Sequence, residues 1–498
     1  MTRVSSQTRS FSTVFLIEMW ERFGYYGMAA LLVLFMIDKL GFADSRANLT
    51  WGAFTALVYA APSIGGWIGD KLLGTRRTML IGASVLGTGY LMLALPVEGL
   101  TFMYASLGVI VVGNGLFKAN AANLVRRIYE GDDARIDSAF TIYYMAVNIG
   151  STVSMLATPW IKDHWGWHAA FAVCCAGMAF GLLNFLLMRH TLAHIGSEPD
   201  NQPVRWNRVG MVAVGAVALG VATLYVLEHK ALAVASVWTA GAVVLAIFAW
   251  MIVRSAHTER AGLVAALLLT AQSILFFIFY QQMSTSLTLF ALRNVDPRFT
   301  VFGTTLFSWS AAQFQALNPI WIMLMSPVLV WIYNAFSRGG HDISVAAKFA
   351  VGFGTVALGY LVFAISGQYA VDGRVSSWFM VWGYGLYSLG ELLVSGLGLA
   401  MIARYVPARM SGFMMGAYFV ATGVSQYLGS VVANFAQMPS DTLPASASLP
   451  IYTHLFAQLG WLAAGGMVLA LVLLPLMRRL SLAHRDGNET PSKTASLA

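Results

Sequence analysis

The stretch that decides the fold is residues 11–37, which read FSTVFLIEMWERFGYYGMAALLVLFMI. It is apolar except for Glu18, Glu21 and Arg22, which are followed by Tyr25 and Tyr26. Spacings of three, four and seven residues place Glu18, Glu21, Arg22 and Tyr25 on one face of a helix. Ionisable groups at membrane depth cost about 2.5 to 3.5 kcal/mol each on insertion scales, so they are rarely kept without a partner or a use. The stretch predicts a membrane helix with a functional stripe.

Similar apolar runs recur along the whole chain of 498 residues, which is 58% hydrophobic and only 10% charged. A run of about 20 apolar residues is long enough to cross a bilayer as a helix. We predict fourteen such helices, with cores at 14–37, 51–69, 78–96, 101–122, 139–161, 168–188, 208–227, 232–253, 262–290, 312–335, 347–366, 376–402, 411–435 and 455–477. The sequence is that of an all-α integral membrane protein.

The distribution of charge predicts the orientation in the membrane. The net charge of +8 does not indicate a nucleic-acid partner, because the basic residues alternate from loop to loop. Counted from a cytoplasmic N-terminus, twenty-one of the thirty Lys and Arg residues lie in loops on the cytoplasmic side and seven on the other. The positive-inside rule then places both termini in the cytoplasm. The short loops favour a bacterial inner membrane.

The fourteen helices group as six, two and six. A polar stretch from Thr191 to Arg208 resembles a linker, and the two spans after it have no ionisable residue in their middles. We predict an N-terminal six-helix bundle over 1–190, a linker with two extra transmembrane helices over 191–261, a C-terminal six-helix bundle over 262–480 and a cytoplasmic tail over 481–498.

Residues 65–77 carry a loop motif, GGWIGDKLLGTRR. It resembles the loop signature of the major facilitator superfamily, in which glycines allow helices to approach closely and charged residues form a cytoplasmic latch. The resemblance implies the major facilitator fold, with two six-helix bundles and, in this chain, two inserted helices. A superfamily resemblance gives the architecture but not the substrate.

Two further ionisable residues, Lys118 and Glu391, lie deep in predicted spans. If they converge with Glu18, Glu21 and Arg22 on one cavity, they form a dipolar lining with a surplus carboxylate. Such a lining could hold a zwitterion and take up a proton. Polar residues that could complete it are Tyr59, Asn114, Asn120, Tyr143, Asn148, Gln281, Gln282, Asn318, Ser395 and Tyr418. Each of them could equally form an interhelical hydrogen bond, worth about 0.6 kcal/mol on average.

Five short segments carry a more specific resemblance. They are residues 18–27 (EMWERFGYYG), 113–118 (GNGLFK), 140–150 (FTIYYMAVNIG), 315–319 (QALNP) and 390–392 (GEL). In order and approximate spacing they resemble the motifs of the proton-dependent oligopeptide transporter family, and they fall in both halves of the chain. The resemblance implies proton-coupled symport of di- and tripeptides into the cell by alternating access.

The resemblance also implies roles for individual residues. Arg22, Tyr26 and Lys118 would face the carboxylate of the peptide. Glu391, Asn148 and Asn318 would face its amino terminus, with Tyr25 and Tyr59 nearby. Proton coupling would rest on Glu18, Glu21, Arg22 and Lys118. Clamping the two charged ends of a peptide while its side chains vary would give broad specificity.

The chain departs from the family pattern at several positions. Ala29 stands where many relatives have an arginine, and residues 263–292 contain no acid, although relatives carry one in the seventh bundle helix. That helix offers Tyr280, Gln281 and Gln282 instead, and we count Gln282 among the expected substrate contacts. A gate or proton step built on the missing pair cannot be transferred to this protein.

Alternative functions remain open on the residues alone. The chain could be a proton-coupled transporter of another small substrate, such as nitrate, a drug or a peptide-like metabolite. It could also be a membrane-embedded enzyme or a non-transporting sensor. The sequence has no zinc-type His pair with a Glu, no nucleophile elbow and no phosphate-cradling loop, so we expect no enzyme activity and no metal. We expect peptides, protons and the lipid bilayer as partners, no cofactor apart from the coupling proton, and a monomer.

Overall fold

The structure, a computed structural model, describes residues 6–97, 99–131, 133–338, 344–395, 405–438 and 443–494. The described α-helices, numbered in chain order, are α1 Gln7–Asp38, α2 Asp44–Ala60, α3 Pro62–Ile68, α4 Thr75–Ala94, α5 Leu100–Ile128, α6 Asp133–Trp165, α7 Trp167–Met188, α8 Trp206–Glu228, α9 Lys230–Arg254, α10 His257–Tyr280, α11 Ser286–Asn294, α12 Leu317–Arg338, α13 Val345–Ile365, α14 Ser377–Val394, α15 Ala408–Ala433 and α16 Ala445–Thr494. Each of the fourteen predicted spans overlaps at least one of these helices.

Ten of the described helical stretches are long and apolar enough to cross a membrane by length and composition. They comprise α4 to α9, α10 together with α11, α12, α13 and α16. The remaining predicted spans correspond to α1, to α2 with α3, to α14 and to α15. Of these, α2 and α3 are each shorter than a membrane span because the helix is interrupted at Pro62, and α1 carries the charged stripe.

The contacts divide the chain into two compact units. The first contains the described residues up to Val234 together with Trp309–Ile320, and the second contains Ala235–Ser308 together with the described residues from Trp321 onward. Of the three boundaries, one falls inside α9, one inside α12 and one between Ser308 and Trp309. Of the two inserted helices, α8 lies in the first unit, where it packs on α5. The predicted domain limits stay predictions.

Glycines allow the helices of the first unit to approach closely. Gly65 on α3 lies against the carbonyl group of Gly115 on α5, and a Cβ atom at Gly65 would overlap that carbonyl. Gly115 in turn contacts Ala61, where a Cβ atom would lie 2.8 Å from the alanine Cβ. Small residues of this kind bring helix backbones together in membranes. The glycines of the loop motif therefore act in packing before the loop begins.

Two of the predicted spans are interrupted. The span predicted at 51–69 is divided at Pro62, where α2 ends and α3 begins, and continues as a π-helix over Gly69–Leu73. The span predicted at 262–290 is broken by a 3₁₀ turn over Gln281–Ser284 that separates α10 from α11. Breaks in membrane helices are tolerated where neighbouring groups satisfy the freed backbone.

The stretch predicted as a polar linker is ordered and partly buried. Asp200, whose side chain is fully buried, accepts hydrogen bonds from the backbone N–H groups of Ser197 at 3.0 Å, Arg76 at 3.2 Å and Arg77 at 3.4 Å. The Arg76 guanidinium also approaches Asp200 Oδ1 at 3.8 Å. Gly74 has φ +104° and leaves no space for a Cβ atom beside Asp200. The carboxylate therefore fastens the linker to the N-terminal end of α4, where the helix dipole favours a negative charge.

A β-hairpin that the sequence did not predict follows α11. Its strands are β1 Arg298–Val301 and β2 Thr304–Ser308, paired antiparallel. Phe302 and Gly303 connect them with φ values of +48° and +80°. Positive φ at both central residues suits the right-handed twist of a two-residue hairpin. The hairpin belongs to the second unit.

The segment that follows the hairpin packs within the first unit. A 3₁₀ helix over Ala311–Ala316 leads directly into α12. Gln313 Nε2 donates to the carbonyl of Leu156 at 2.9 Å, and Gln315 Nε2 donates to the carbonyl of Ala30 at 3.3 Å. The side chain of Ala316 joins a buried apolar cluster with Ala30 and Met155. The position of a residue along the chain therefore does not determine in which unit it packs.

Candidate functional site

The acids and the base of α1 form one buried group. Arg22 Nε forms an ion pair with Glu21 Oε2 and another, at 3.4 Å, with Glu18 Oε1. The three residues are between 0% and 3% exposed. Among the described residues, Glu18 Oε2, Glu21 Oε1 and Arg22 Nη2 have no hydrogen-bond partner. One guanidinium thus serves two carboxylates, and each carboxylate keeps an unpartnered oxygen.

Two aromatic rings complete the stripe of α1. The Arg22 guanidinium carbon lies 5.3 Å from the ring centroid of Tyr25 and 5.9 Å from that of Tyr26. The two rings meet edge to face at 5.4 Å. Both distances to Arg22 lie within the range of a cation–π contact. The guanidinium that pairs with the two carboxylates therefore also contacts two tyrosine rings.

Lys118 on α5 belongs to the same region of the first unit. Its ammonium lies 5.0 Å from the ring centroid of Tyr59 on α2, and it interacts electrostatically with Glu18, Glu21 and Arg22. Within the described part of the chain it forms no ion pair of 4 Å or less. The sequence predicted it as a partner of the acids; the structure places it near them, against Tyr59.

Two tyrosines that the resemblance did not assign to the site also lie near this group. Tyr143 on α6 lies beside Glu18, and Tyr90 on α4 lies in electrostatic range of Glu21, Arg22 and Tyr25. Tyr90 and Asn114, which lies one turn before Lys118, are fully buried. The Tyr90 hydroxyl and both polar side-chain atoms of Asn114 have no hydrogen-bond partner among the described residues.

Sequence reasoning named Tyr143 and Asn114 only as polar residues in apolar helices, and it missed Tyr90. The period of α4 could have shown that Tyr90 is buried, but not that it faces α1.

The other predicted substrate residues are spread over both units. Asn148 on α6 is 4% exposed and donates to the carbonyl of Tyr144 at 2.8 Å. Asn318 is 4% exposed and lies in the first unit, on the segment that contacts α1 and α6. Glu391 on α14 is 6% exposed and lies in the second unit. Their roles toward a substrate stay predictions.

Gln282 occupies a structural position in the second unit. It is fully buried in the 3₁₀ turn between α10 and α11, and its Nε2 donates to the carbonyls of Gly429 at 2.8 Å and Ile278 at 3.1 Å. Its Oε1 accepts from the Ser286 hydroxyl at 2.7 Å. The amide therefore supports the break in the helix and ties it to α15. Its predicted contact with substrate stays a prediction.

The group in the first unit can couple an anion to a proton. An anion that approached Arg22 and Lys118 would compete with Glu18 and Glu21 for the same cations. A carboxylate that loses its cationic partner binds a proton more readily. Both carboxylates share one guanidinium, so an anion that binds this guanidinium weakens its ion pairs with both acids together. Binding of an anion and uptake of a proton are then mutually favourable at this site.

Comparison with protein families identifies relatives over most of the chain. A family model described as PTR2, POT family, matches residues 76–453. Dipeptide and tripeptide permease A of Proteus mirabilis (strain HI4320) is 41% identical over 476 residues, which cover 95% of this chain and 96% of that protein. Dipeptide and tripeptide permease B of Aliivibrio fischeri (strain MJ11) is 38% identical over 479 residues, 96% of each.

Solved structures show the same likeness in three dimensions. A crystal structure of tetrameric PepTSo2 is 58% identical, with a TM-score of 0.88 over 95% of this chain and 99% of that chain. A crystal structure of the peptide transporter POT in complex with sulfate is 28% identical, with a TM-score of 0.82 over 95% of each chain. The likeness covers both units.

Proposed function

This chain belongs to the POT family, and from that premise we propose that it takes up di- and tripeptides together with protons. Its fold is the major facilitator fold, with two six-helix bundles and two inserted helices. It is a membrane-spanning transporter and not an enzyme. Transport by this fold proceeds by alternating access, in which the two repeats expose a central site to either side in turn.

The observation that carries the proposal is the shared guanidinium of Arg22. It holds Glu18 and Glu21 together in a buried position, where an unpaired charge is costly. We propose that the peptide carboxylate binds Arg22 and Lys118, with Tyr26 beside it, and displaces the acids. Glu18 or Glu21 then takes up the coupling proton, and no cofactor takes part.

The amino terminus of the peptide would bind on the opposite side of the substrate. We propose that Glu391, Asn148 and Asn318 receive it, with Tyr25 and Tyr59 nearby. The fixed charges of a peptide lie at its two ends, so a site that binds the ends accepts many side chains. In this scheme the absence of an acid from residues 263–292 leaves Glu18 and Glu21 as the proton acceptors.

The charge distribution supports a proposal for the location and orientation of the chain. We propose a bacterial inner membrane with both termini in the cytoplasm, since the basic loops alternate and the cytoplasmic set is three times the larger. We also propose a monomer as the transport unit, because the acid and base group is contained within one chain.

The test is uptake into proteoliposomes that contain purified protein. Glu18→Gln and Glu21→Gln keep the size of each side chain but remove its proton exchange. We expect both to abolish peptide accumulation driven by a proton gradient while sparing exchange of internal for external peptide. The matched control is Glu228→Gln, an exposed acid at the end of α8, which should transport like the wild type. Full gradient-driven uptake by both site variants would contradict the proton role.

A second variant tests whether Lys118 binds the carboxylate of the peptide. Lys118→Ala should weaken binding of a dipeptide with a free carboxylate more than binding of the same dipeptide as its amide, because the amide lacks the charge that the ammonium attracts. Lys230→Ala, which removes an exposed lysine at the start of α9, should change neither. Equal losses for acid and amide would show that Lys118 does not bind the carboxylate.

A further inference from the structure

A groove of about 340 Å³ opens on the surface of the first unit, at the ends of α4 and α8. One side is formed by the linker with Arg205 and Trp206, and the other by Arg77, Leu80 and Ile81 of α4. Its volume lies within the range of small-molecule sites, about 300 to 1,000 Å³. The groove lies away from Glu18, Glu21 and Arg22, and transport as proposed above does not use it.

The groove has an excess of positive charge. Its lining includes Arg77, Arg205 and Arg208 and no described acid. The Arg77 guanidinium donates to the carbonyls of Pro199, Asp200 and Gln202 at 3.0, 3.3 and 2.7 Å. Arg208 Nη1 donates to the carbonyls of Lys71 and Leu72, each at 3.3 Å. Carbonyl groups orient a guanidinium without neutralising it, so the positive charge remains.

The acids next to the groove do not compensate this charge. Asp200 is engaged by Arg76 and by three backbone N–H groups on the inner side of the linker. Glu198 accepts a hydrogen bond from Gln202 Nε2 at 3.1 Å. In the part of the chain that the structure describes, Arg77, Arg205 and Arg208 form no ion pair. An anion that entered the groove would meet three uncompensated guanidinium groups.

The groove lies at the level where a membrane begins. Trp206 starts α8 and is 77% exposed, as expected for a tryptophan at the interface between water and lipid. A second groove of about 260 Å³ shares Leu72 with the first and continues along α8, where Met211, Gly215 and Leu219 line it. Basic pockets between membrane helices bind anionic headgroups. The two grooves together offer a charged mouth and an apolar channel.

We propose that these grooves bind one anionic phospholipid, with its phosphate at Arg77, Arg205 and Arg208 and an acyl chain along α8 between Leu72 and Leu219. The charge selects an anionic headgroup, and the apolar channel selects a lipid over a free anion. Because the linker is fastened to α4 by Asp200, the headgroup site is preformed. The bound lipid would join α4 to the inserted helix α8.

The test is native mass spectrometry of the purified full chain titrated with phosphatidylglycerol and, separately, with phosphatidylcholine. We expect tighter binding of phosphatidylglycerol. Arg205→Gln, at an exposed residue without a partner in the described chain, should weaken it by about fivefold, the effect of one basic residue at a membrane surface. Arg126→Gln is the matched control, since Arg126 is exposed at the end of α5 and does not line the groove.

A second variant addresses the apolar channel. A Cβ atom at Gly215, which lines the channel, would meet nothing within 4 Å, so the backbone has room for a side chain and Gly215→Leu narrows the channel. It should reduce binding of phosphatidylglycerol, whereas Gly241→Leu, at an open position on α9, should not. The proposal is overturned if Arg205→Gln binds like the wild type, if Arg126→Gln loses as much, or if glycerol phosphate displaces the lipid as well as phosphatidylglycerol does.

Discussion

At the scale of single residues, the chemistry depends on how few partners the buried polar groups have. Arg22 is shared by Glu18 and Glu21, and one oxygen of each acid has no partner among the described residues. Such groups are costly in an apolar interior unless water or a ligand reaches them. Their lack of protein partners is what a site needs if it is to accept first one ligand and then another.

The Tyr90 hydroxyl tests whether a buried polar group near the site lacks a protein partner. Its hydroxyl is buried and has no hydrogen-bond partner in the described chain, so removing it costs no protein hydrogen bond. We expect Tyr90→Phe to unfold within about 2 °C of the wild type, since a change under about 0.5 kcal/mol moves a midpoint little in a chain of this size. Thermal unfolding in detergent, followed by tryptophan fluorescence, measures it.

Tyr360→Phe is the contrasting variant. Tyr360 is equally buried, but its hydroxyl donates to the carbonyl of Phe279 at 2.8 Å. Its removal leaves that carbonyl with one hydrogen bond fewer and should cost about 1 kcal/mol. A larger loss for Tyr90→Phe than for Tyr360→Phe would mean that the Tyr90 hydroxyl has a partner.

The sequence predicted the residues of this site better than their partners. Helix periodicity is a local property, so the spacing of Glu18, Glu21 and Arg22 was sufficient to place them on one face. Which residue of α4 faces α1 depends on the rotation and tilt of two separate helices, and no local pattern encodes these. Tyr90 was missed for that reason. Lys118 lies near the acids, as expected, but the contact of its ammonium with the Tyr59 ring could not be read from the sequence.

At the scale of elements, close contacts between glycines determine which helices can pack together. Gly65 brings α3 onto α5 because its hydrogen faces the Gly115 carbonyl directly. This packing lies at the first residue of the loop motif and one turn before the π-helix, so it sets where the loop leaves the bundle. The sequence predicted close helix approach at these glycines but did not reveal the 3₁₀ turn after α10. That turn is fixed by hydrogen bonds of Gln282 to a different helix, α15.

Gly65→Ala measures how much this contact contributes. The added methyl group would overlap the backbone of α5, which cannot move aside as a flexible side chain would. We expect a loss of about 1 to 3 kcal/mol, the usual cost of overpacking, seen as a lower unfolding temperature and a lower yield. Gly241→Ala, at an open helical position, should be neutral or slightly stabilising. Equal effects of the two variants would show that α3 and α5 are not in close contact.

At the scale of the whole molecule, composition and charge alternation predicted the class of protein and the number of membrane helices. They could not predict how contacts divide the chain into two units, with Trp309–Ile320 packed in the first unit. That grouping depends on contacts between residues almost three hundred positions apart, such as Gln315 with Ala30. Chain order gives no information about such contacts.

The oligomeric state is a prediction at this scale. The chain has a mass of 53.9 kDa, and we expect light scattering of the purified protein, corrected for detergent, to give a polypeptide mass near that value. The relative PepTSo2 has been crystallised as a tetramer. A polypeptide mass near four times that of the chain would overturn the monomer.

The hydrogen bonds between Asp200 and the first residues of α4 also matter for protein engineering. Surface linkers between membrane bundles are common places to insert a fluorescent protein, an epitope or a crystallisation partner. Here an insertion between Ser197 and Gln202 would pull the carboxylate from the amides of Arg76 and Arg77 and distort the start of a transmembrane helix. The carboxyl-terminal end of α16 offers a safer place to attach such a fusion.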